Sequence, residues 1–221
     1  MSDLITVKNV SKTFVKARAV SNVSLTVKDG ELLAIQGASG SGKTTLLNLL
    51  TGLEQADEGE ILFDGENITS MNEDQLALFR RGHVGIVFQF FNLIPTLNVV
   101  ENIALPLFPV RMARDDMLNR GKVSAEKVGL SHRLDHYPNE LSGGEQQRVA
   151  IARALIVDPK VIFADEPTGN LDEKTGGMIF ELLKNLNKNR DLTIVMATHD
   201  QSIAAASHRI IKLRDGMINN E

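Results

Sequence analysis

An α/β fold centred on a parallel sheet is predicted by three features of the 221-residue chain. A glycine-rich loop, Gly37 to Thr44, stands between a strand-like run and a segment with helical spacing of leucines. Short apolar runs at Val84 to Phe88, Val161 to Ala164 and Leu192 to Ala197 have the unbroken hydrophobicity of strands covered on both faces. The last two runs alternate with helical patterns, the order that a parallel sheet requires of its crossovers.

Taken in order, roughly the first sixty residues read as strands and hairpins: Leu4 to Val10, Val20 to Val27, Glu31 to Gln36 and Glu60 to Phe63, punctuated by Asp29-Gly30 and Asp64-Gly65. They predict an N-terminal antiparallel β-subdomain. Leu46, Leu47, Leu49 and Leu50 mark the helix after the glycine loop, and Asn72 to Arg81 reads as another. From Phe90 to about Val157 the pattern turns helical, with helices over Asn98 to Phe108 and Asp115 to Val128. A polar loop, His132 to Glu140, then leads into a third helix from Ser142, with Val149, Ala152 and Ala154 toward a core. The expected organisation is one domain over residues 1–221, with a catalytic core at 1–89 and 158–221 and an inserted α-helical subdomain at 90–157. A long helix over Glu173 to Lys188 follows, with Met178, Ile179, Leu182, Leu183 and Leu186 at helical spacing. The chain closes with Ile210 to Leu213, an Arg214-Asp215-Gly216 turn and Met217-Ile218, a terminal hairpin.

Composition narrows the function. Hydrophobic residues at 43% and charged residues at 24% are those of a folded globular chain and argue against disorder. With 24 Lys+Arg against 28 Asp+Glu, no whole-chain electrostatic argument favours nucleic acid, and Arg80-Arg81 reads as a solvated face. The chain has no cysteine, which excludes disulfides and thiolate metal sites. Met1-Ser2-Asp3-Leu4 carries no secretory signal pattern. No run approaches the roughly eighteen apolar residues of a membrane span, so a membrane role is expected to run through a partner.

Chemistry concentrates in a few motifs. Gly37-Ala38-Ser39-Gly40-Ser41-Gly42-Lys43-Thr44 matches G-x-x-x-x-G-K-[ST], in which the glycines let backbone N–H groups curl around phosphates. Lys43 reaches the β and γ phosphates and the Thr44 hydroxyl ligates Mg²⁺. Asp165 and Glu166 emerge where an apolar strand ends, Asp165 placed for the metal shell and Glu166 for the attacking water. Gln89, Asp172 and His199 are single polar residues at strand ends or in a turn and read as a γ-phosphate sensor set. Leu141 to Arg148 reads LSGGEQQR, and a helix opening on Ser142-Gly143-Gly144 offers a hydroxyl and unpaired N–H groups, a second phosphate seat. Two seats with one nucleotide motif suggest a ligand held between two copies.

Together these residues resemble the ATP-binding subunit of an ABC transporter. Gly37 to Thr45 resembles its Walker A, Gln89 its Q-loop, LSGGEQQR its signature motif, Val161 to Glu166 its Walker B, Asp172 its D-loop aspartate and His199 its switch histidine. The resemblance spans essentially the whole chain in the family's order. It implies a P-loop NTPase (RecA-like) core that uses ATP and Mg²⁺, with Lys43, Gln89, Glu166 and His199 catalytic and Thr44, Gln89 and Asp165 around the metal. It further implies a head-to-tail homodimer, each ATP lying between the P-loop of one chain and Ser142, Gly143, Gly144 and Glu145 of the other. Phe14 matches the adenine-stacking position, a buried core phenylalanine being the alternative. An integral-membrane permease with an extracytoplasmic domain is implied as partner, contacting a groove near Gln89 to Pro95, with the chain cytoplasmic and peripheral on the inner face of the membrane.

Phe91 to Pro95, Glu101 to Ile103, Leu105 to Leu107 and Tyr137 to Glu140 are similar to the branch that includes the LolD, MacB and FtsE ATPases. Lipoprotein release, macrolide or peptide export, and FtsE-like mechanotransmission without a transported substrate are its alternatives. A soluble ABC protein of DNA repair or translation would need a long coiled-coil insertion or a second cassette, and the sequence has neither. The departures from the family pattern are mild: Ala38 where proline is frequent, Thr44 where serine is frequent, and Gly169-Asn170 before Leu171-Asp172.

Overall fold

Alternating burial along the central strands divides the hydrophobic core into two clusters on opposite faces of one sheet. The computed structural model describes residues 2–15, 17–190 and 192–219; Met1 of the N-terminal reading lies outside them. The chain begins with β1 (Asp3–Phe14), β2 (Ala17–Lys28), β3 (Leu32–Gln36), α1 (Lys43–Leu50), β4 (Glu58–Phe63) and β5 (Glu66–Asn67). It continues with α2 (Glu73–His83), β6 (Val84–Val87), α3 (Val99–Ala104), α4 (Arg114–Lys127) and α5 (Gly143–Leu155). It ends with β7 (Val161–Asp165), α6 (Glu173–Arg190), β8 (Thr193–Thr198), α7 (Gln201–Ala205), β9 (Arg209–Arg214) and β10 (Met217–Asn219).

One sheet is antiparallel, in the order β2-β1-β4-β5; the other, in the order β10-β9-β3-β8-β7-β6, is parallel except for the hairpin strand β10. The predicted α/β fold, with its antiparallel N-terminal sheet, is therefore present. One reading changes: β3 makes no hairpin with β2. The Asp29-Gly30 turn passes the chain to the middle of the second sheet, where Leu32, Leu33, Ala34 and Ile35 are all buried. A strand covered on both faces cannot alternate polar and apolar, and an unbroken apolar run is the sequence mark of that position.

Leu33, Ile35, Val161, Phe163, Val195 and Ala197 face α1, α2 and the antiparallel sheet. Their neighbours Leu32, Ile162, Ala164, Ile194 and Met196 face the other way, into a cluster shared with Ile103, Ala125, Leu130 and Val149 of the helical segment. Successive residues of a strand point to opposite faces, so β3, β6, β7 and β8 each tie both cores together. Val149, Ala152 and Ala154 are buried there as expected.

Helix starts carry their own chemistry. Asn72 and Asn98 cap α2 and α3 in capping boxes with Gln75 and Glu101, a gain of roughly 1 kcal/mol each. Asn98 is thus a cap rather than a helical residue, and a 3₁₀ turn over Leu105–Leu107, containing Pro106, replaces the end of the predicted helix. The short α7 has no apolar periodicity to announce it and follows its Asp200 cap. Arg80, expected on a solvated face, is half-buried and donates to the Gly52 carbonyl. Among the described residues no helix is long and apolar enough to cross a membrane.

Candidate active site

Four strands, β3, β6, β7 and β8, end on the same edge of the parallel sheet, the edge where open α/β sheets bind ligands. The loop after β3 runs through Gly40 (φ 78°) to Gly42 (φ 100°), the N-cap of α1. Gly42 is required twice over: its φ is left-handed, and a Cβ there would overlap the Ala19 carbonyl oxygen. Helix α1 has no side-chain cap and no acidic residue in its first turn. Its first N–H groups consequently lack any side-chain partner of their own and make an anion seat.

A cavity of about 570 Å³ opens over this helix end, lined by Ser39, Gly40, Lys43, Thr44, Thr45 and, from the other strand ends, Gln89, Glu166 and His199. Lys43 is buried, with Nζ donating to the carbonyls of Gly37 (2.9 Å) and Ala38 (3.0 Å) and standing 3.3 Å from Glu166 Oε1. On its other side the Glu166 carboxylate meets His199 Nδ1 through Oε2 at 3.0 Å. The cation and the imidazole thus bracket one carboxylate. Glu166 has φ 43°, an uncommon conformation for a non-glycine residue that costs about 1–2 kcal/mol. Its N–H donates to the Ala197 carbonyl at the end of β8 (3.0 Å), which holds the strained turn in place.

The Thr44 hydroxyl donates to Asp165 Oδ2 at 2.8 Å. Burial pushes the Asp165 carboxyl up, the Thr44 hydrogen bond pulls it down, neighbouring Glu166 raises it again and Lys43 lowers it; the net direction is upward. Its second oxygen, Oδ1, is buried without a hydrogen-bond partner. An orphaned carboxylate oxygen beside a threonine hydroxyl, under a phosphate seat, fits a hard divalent cation such as Mg²⁺ that completes its shell with phosphate oxygens and water.

The remaining predicted residues lie elsewhere. Gly37, Ala38 and Ser41 line a neighbouring cavity behind the loop together with Ser39 and Gly40. Phe14, at the end of β1, is exposed with the Lys12 ammonium 5.5 Å from its ring centre, which removes the buried-core alternative. Asp172 caps its own helix, accepting from Thr175 N (3.0 Å) and Oγ1 (2.6 Å), and these hydrogen bonds hold its carboxyl below the usual range.

Ser142, Gly143, Gly144 and Glu145 begin α5 away from the P-loop cavity. Gly143 packs toward Leu171 and Phe91, and Gly144 toward Thr175. Of the free donors expected over Ser142-Gly143-Gly144, those of Ser142 are occupied: its N–H (2.9 Å) and hydroxyl (2.7 Å) both donate to Glu145 Oε2. Arg133 Nε donates to the other carboxylate oxygen at 2.7 Å. Partial burial raises the Glu145 carboxyl, but the Ser142 hydrogen bonds and the Arg133 charge outweigh it and bring the pKa down to about 2.

Two positioning residues escaped the sequence reading. Asn170 Nδ2 donates to the Gln89 backbone carbonyl at 2.8 Å, tying the loop after β7 to the Gln89 turn. Arg153, buried in α5, donates to the carbonyls of Phe91 and Asn92, both in left-handed conformations. An arginine inside the apolar run Val149 to Leu155 was the available signal, since a buried guanidinium must find acceptors.

A family model described as "ABC transporter" matches residues 20–169. The lipoprotein-releasing system ATP-binding protein LolD of Syntrophus aciditrophicus is 44% identical over 97% of this chain and 98% of its own length. The macrolide export ATP-binding/permease protein MacB of Syntrophobacter fumaroxidans is 42% identical over 99% of the chain, which spans 32% of that longer protein. Among solved structures, the dimeric post-hydrolysis state of the ATP-binding cassette MJ0796 bound to ADP and Pi superposes with a TM-score of 0.90 at 43% identity, covering 98% of this chain and 97% of that one.

Proposed function

The chain belongs to the ABC transporter family, in the LolD and MacB branch, as an ATP-hydrolysing subunit, and from that premise we propose that two copies close head-to-tail on ATP to drive a separate membrane permease. The observation that carries the hydrolytic step of this reading is the bracketed Glu166 carboxylate, 3.3 Å from Lys43 and 3.0 Å from His199, on the rim of a phosphate seat.

The P-loop amides and Lys43 hold the phosphates, so the γ-phosphate lies beside Glu166 and His199. Glu166 accepts the proton of the attacking water and orients it in line with the leaving oxygen. His199 holds Glu166 through Nδ1 and, as it is largely exposed, is free to meet the γ-phosphate. Thr44, Asp165 and Gln89 would hold Mg²⁺, which when bound neutralises phosphate charge. Ser142 to Glu145 of the second copy supplies the opposite wall, in keeping with the dimeric form of the related cassette MJ0796. Residues 90–157 are the subdomain that moves on closure, and the exposed Phe90 and Ile94 beside Gln89 offer the permease an apolar foothold. Lipoprotein release or macrolide export is the transported-substrate class favoured by the LolD and MacB likeness. The chain then works at the cytoplasmic face of the membrane.

Glu166→Gln tests the reading. Hydrolysis is expected to fall roughly 100- to 10,000-fold while ATP binding survives, and light scattering with ATP should find stable dimers. A variant still monomeric at saturating ATP would overturn the sandwich.

A further inference from the structure

The back of the P-loop rests on backbone from two remote parts of the chain. Gly216 N donates to the Ser41 carbonyl at 3.0 Å, and Ser21 N donates to the Gly216 carbonyl at 2.8 Å. A Cβ on Gly37 would overlap the Leu213 carbonyl oxygen, and one on Gly216 would stand 2.8 Å from the Ala19 carbonyl oxygen. The tip of the β9–β10 hairpin, the start of β2 and the P-loop therefore meet through main chain at each of these points. Around that junction a cavity of about 550 Å³, lined by Ser39, Gly40, Lys212 and Arg214 among others, separates loop from hairpin. The support is concentrated at the hairpin tip.

We propose that Gly216 is a positioning residue for ATP, acting by aiming the Gly42 amide at the phosphates. The Ser41 carbonyl and the Gly42 N–H belong to one planar trans peptide and point in opposite directions. Holding that carbonyl against the hairpin turns the N–H toward the front of the loop. Were this peptide to rotate, a carbonyl oxygen would face the phosphates in place of a donor, a reversal of dipole at the point of greatest negative charge. Linkage makes the effect reciprocal: ATP in the loop must steady the hairpin tip.

A second Asp-Gly turn supplies the control. Asp64 and Gly65 (φ 51° and 82°) match Asp215 and Gly216 (φ 50° and 74°), yet a Cβ on Gly65 meets nothing within 4 Å. Gly65→Ala carries the left-handed strain alone, whereas Gly216→Ala adds the clash with Ala19. The proposal rests on the ATP reading, so wild-type turnover with ATP and Mg²⁺ is measured beside both variants. Gly216→Ala is expected to raise KM about ten-fold or more with kcat within about three-fold, and Gly65→Ala to leave both within about two-fold. As a measurement on the unaltered chain, ATP should slow amide exchange in residues 213–217 by about ten-fold and leave residues 63–67 unchanged.

A wild type that binds no ATP overturns the ATP reading together with this one. A wild type that binds ATP beside a folded Gly216→Ala of unchanged KM overturns this proposal alone. So does an equal rise in KM in Gly65→Ala, or exchange at 213–217 that ignores ATP.

Discussion

Two helices in this chain begin with glycine-rich turns that resemble anion seats, and their first turns differ in capping and in charge. Helix α1 starts at Gly42 with no side-chain cap, no acidic residue and a buried lysine at its first position. Helix α5 starts at Ser142 with a complete capping box, its third residue Glu145 folded back on the Ser142 N–H and hydroxyl. The first helix leaves its positive end to a ligand; the second places its own carboxylate on the donors of its N-cap Ser142. A glycine-rich helix start is thus a strong anion site only where the sequence withholds a cap. An approaching phosphate at α5 must share the seat with Glu145, whereas the first turn of α1 itself offers it only donors and an ammonium.

The comparison breaks most completely at Lys43. Replacing Lys43 with alanine removes the buried cation that distinguishes α1 and leaves Glu166 with His199 alone, so ATP hydrolysis should fall by about a hundred-fold or more. Steady-state phosphate release checks this, and a loss of less than about ten-fold would mean that the α1 dipole and loop amides suffice. Making α1 resemble α5 is the next largest effect. Thr45 is the third residue of α1, as Glu145 is the third of α5, and Thr45→Glu places a carboxylate in competition with phosphate. ATP affinity is expected to drop about ten-fold, read by titration with a fluorescent ATP analogue, with thermal stability unchanged or raised because an acidic residue favours a helix N-terminus.

What could be read from the residues follows from how local each cause is. The P-loop, Asp165 and Glu166, and the two-face burial of Val161 to Ala164 depend on neighbours a few positions away, and the sequence carries them openly. The place of β3 depends on strands more than a hundred residues distant, and Asp29-Gly30 looks the same whether it closes a hairpin or crosses between sheets. Glu145 was legible in part: S-x-x-E is a capping signature, but its contact with Arg133 bridges a loop whose path no periodicity records. The hold of Arg153 on Phe91 and Asn92 spans 62 and 61 positions, and only the oddity of an arginine among Val149, Ala150, Ile151 and Ala152 pointed toward it.

The smallest effect is the most informative about α5. Glu145→Gln keeps an acceptor for the Ser142 N–H and hydroxyl, since glutamine also reaches the N-cap amide, and removes the charge together with the acceptor oxygen that faces Arg133. The expected cost is about 1 kcal/mol, a fall of a few degrees in Tm. Its pH dependence fixes the cause. The folded carboxyl, near 2, lies below its ordinary value of 4.5, so folding favours the charged form. That stabilisation is present in full above the ordinary value and disappears as the pH falls through about 2. Urea denaturation of wild type and variant should therefore differ by a constant amount above about pH 5 and converge toward pH 2. A gap that stayed constant down to pH 2.5 or so would show that the acceptor offered to Arg133, not the charge, closes the second seat. If charge closes it, the same variant should ease ATP-driven dimerisation by a few-fold, because the partner's phosphate then meets donors at Ser142 without a carboxylate in their midst.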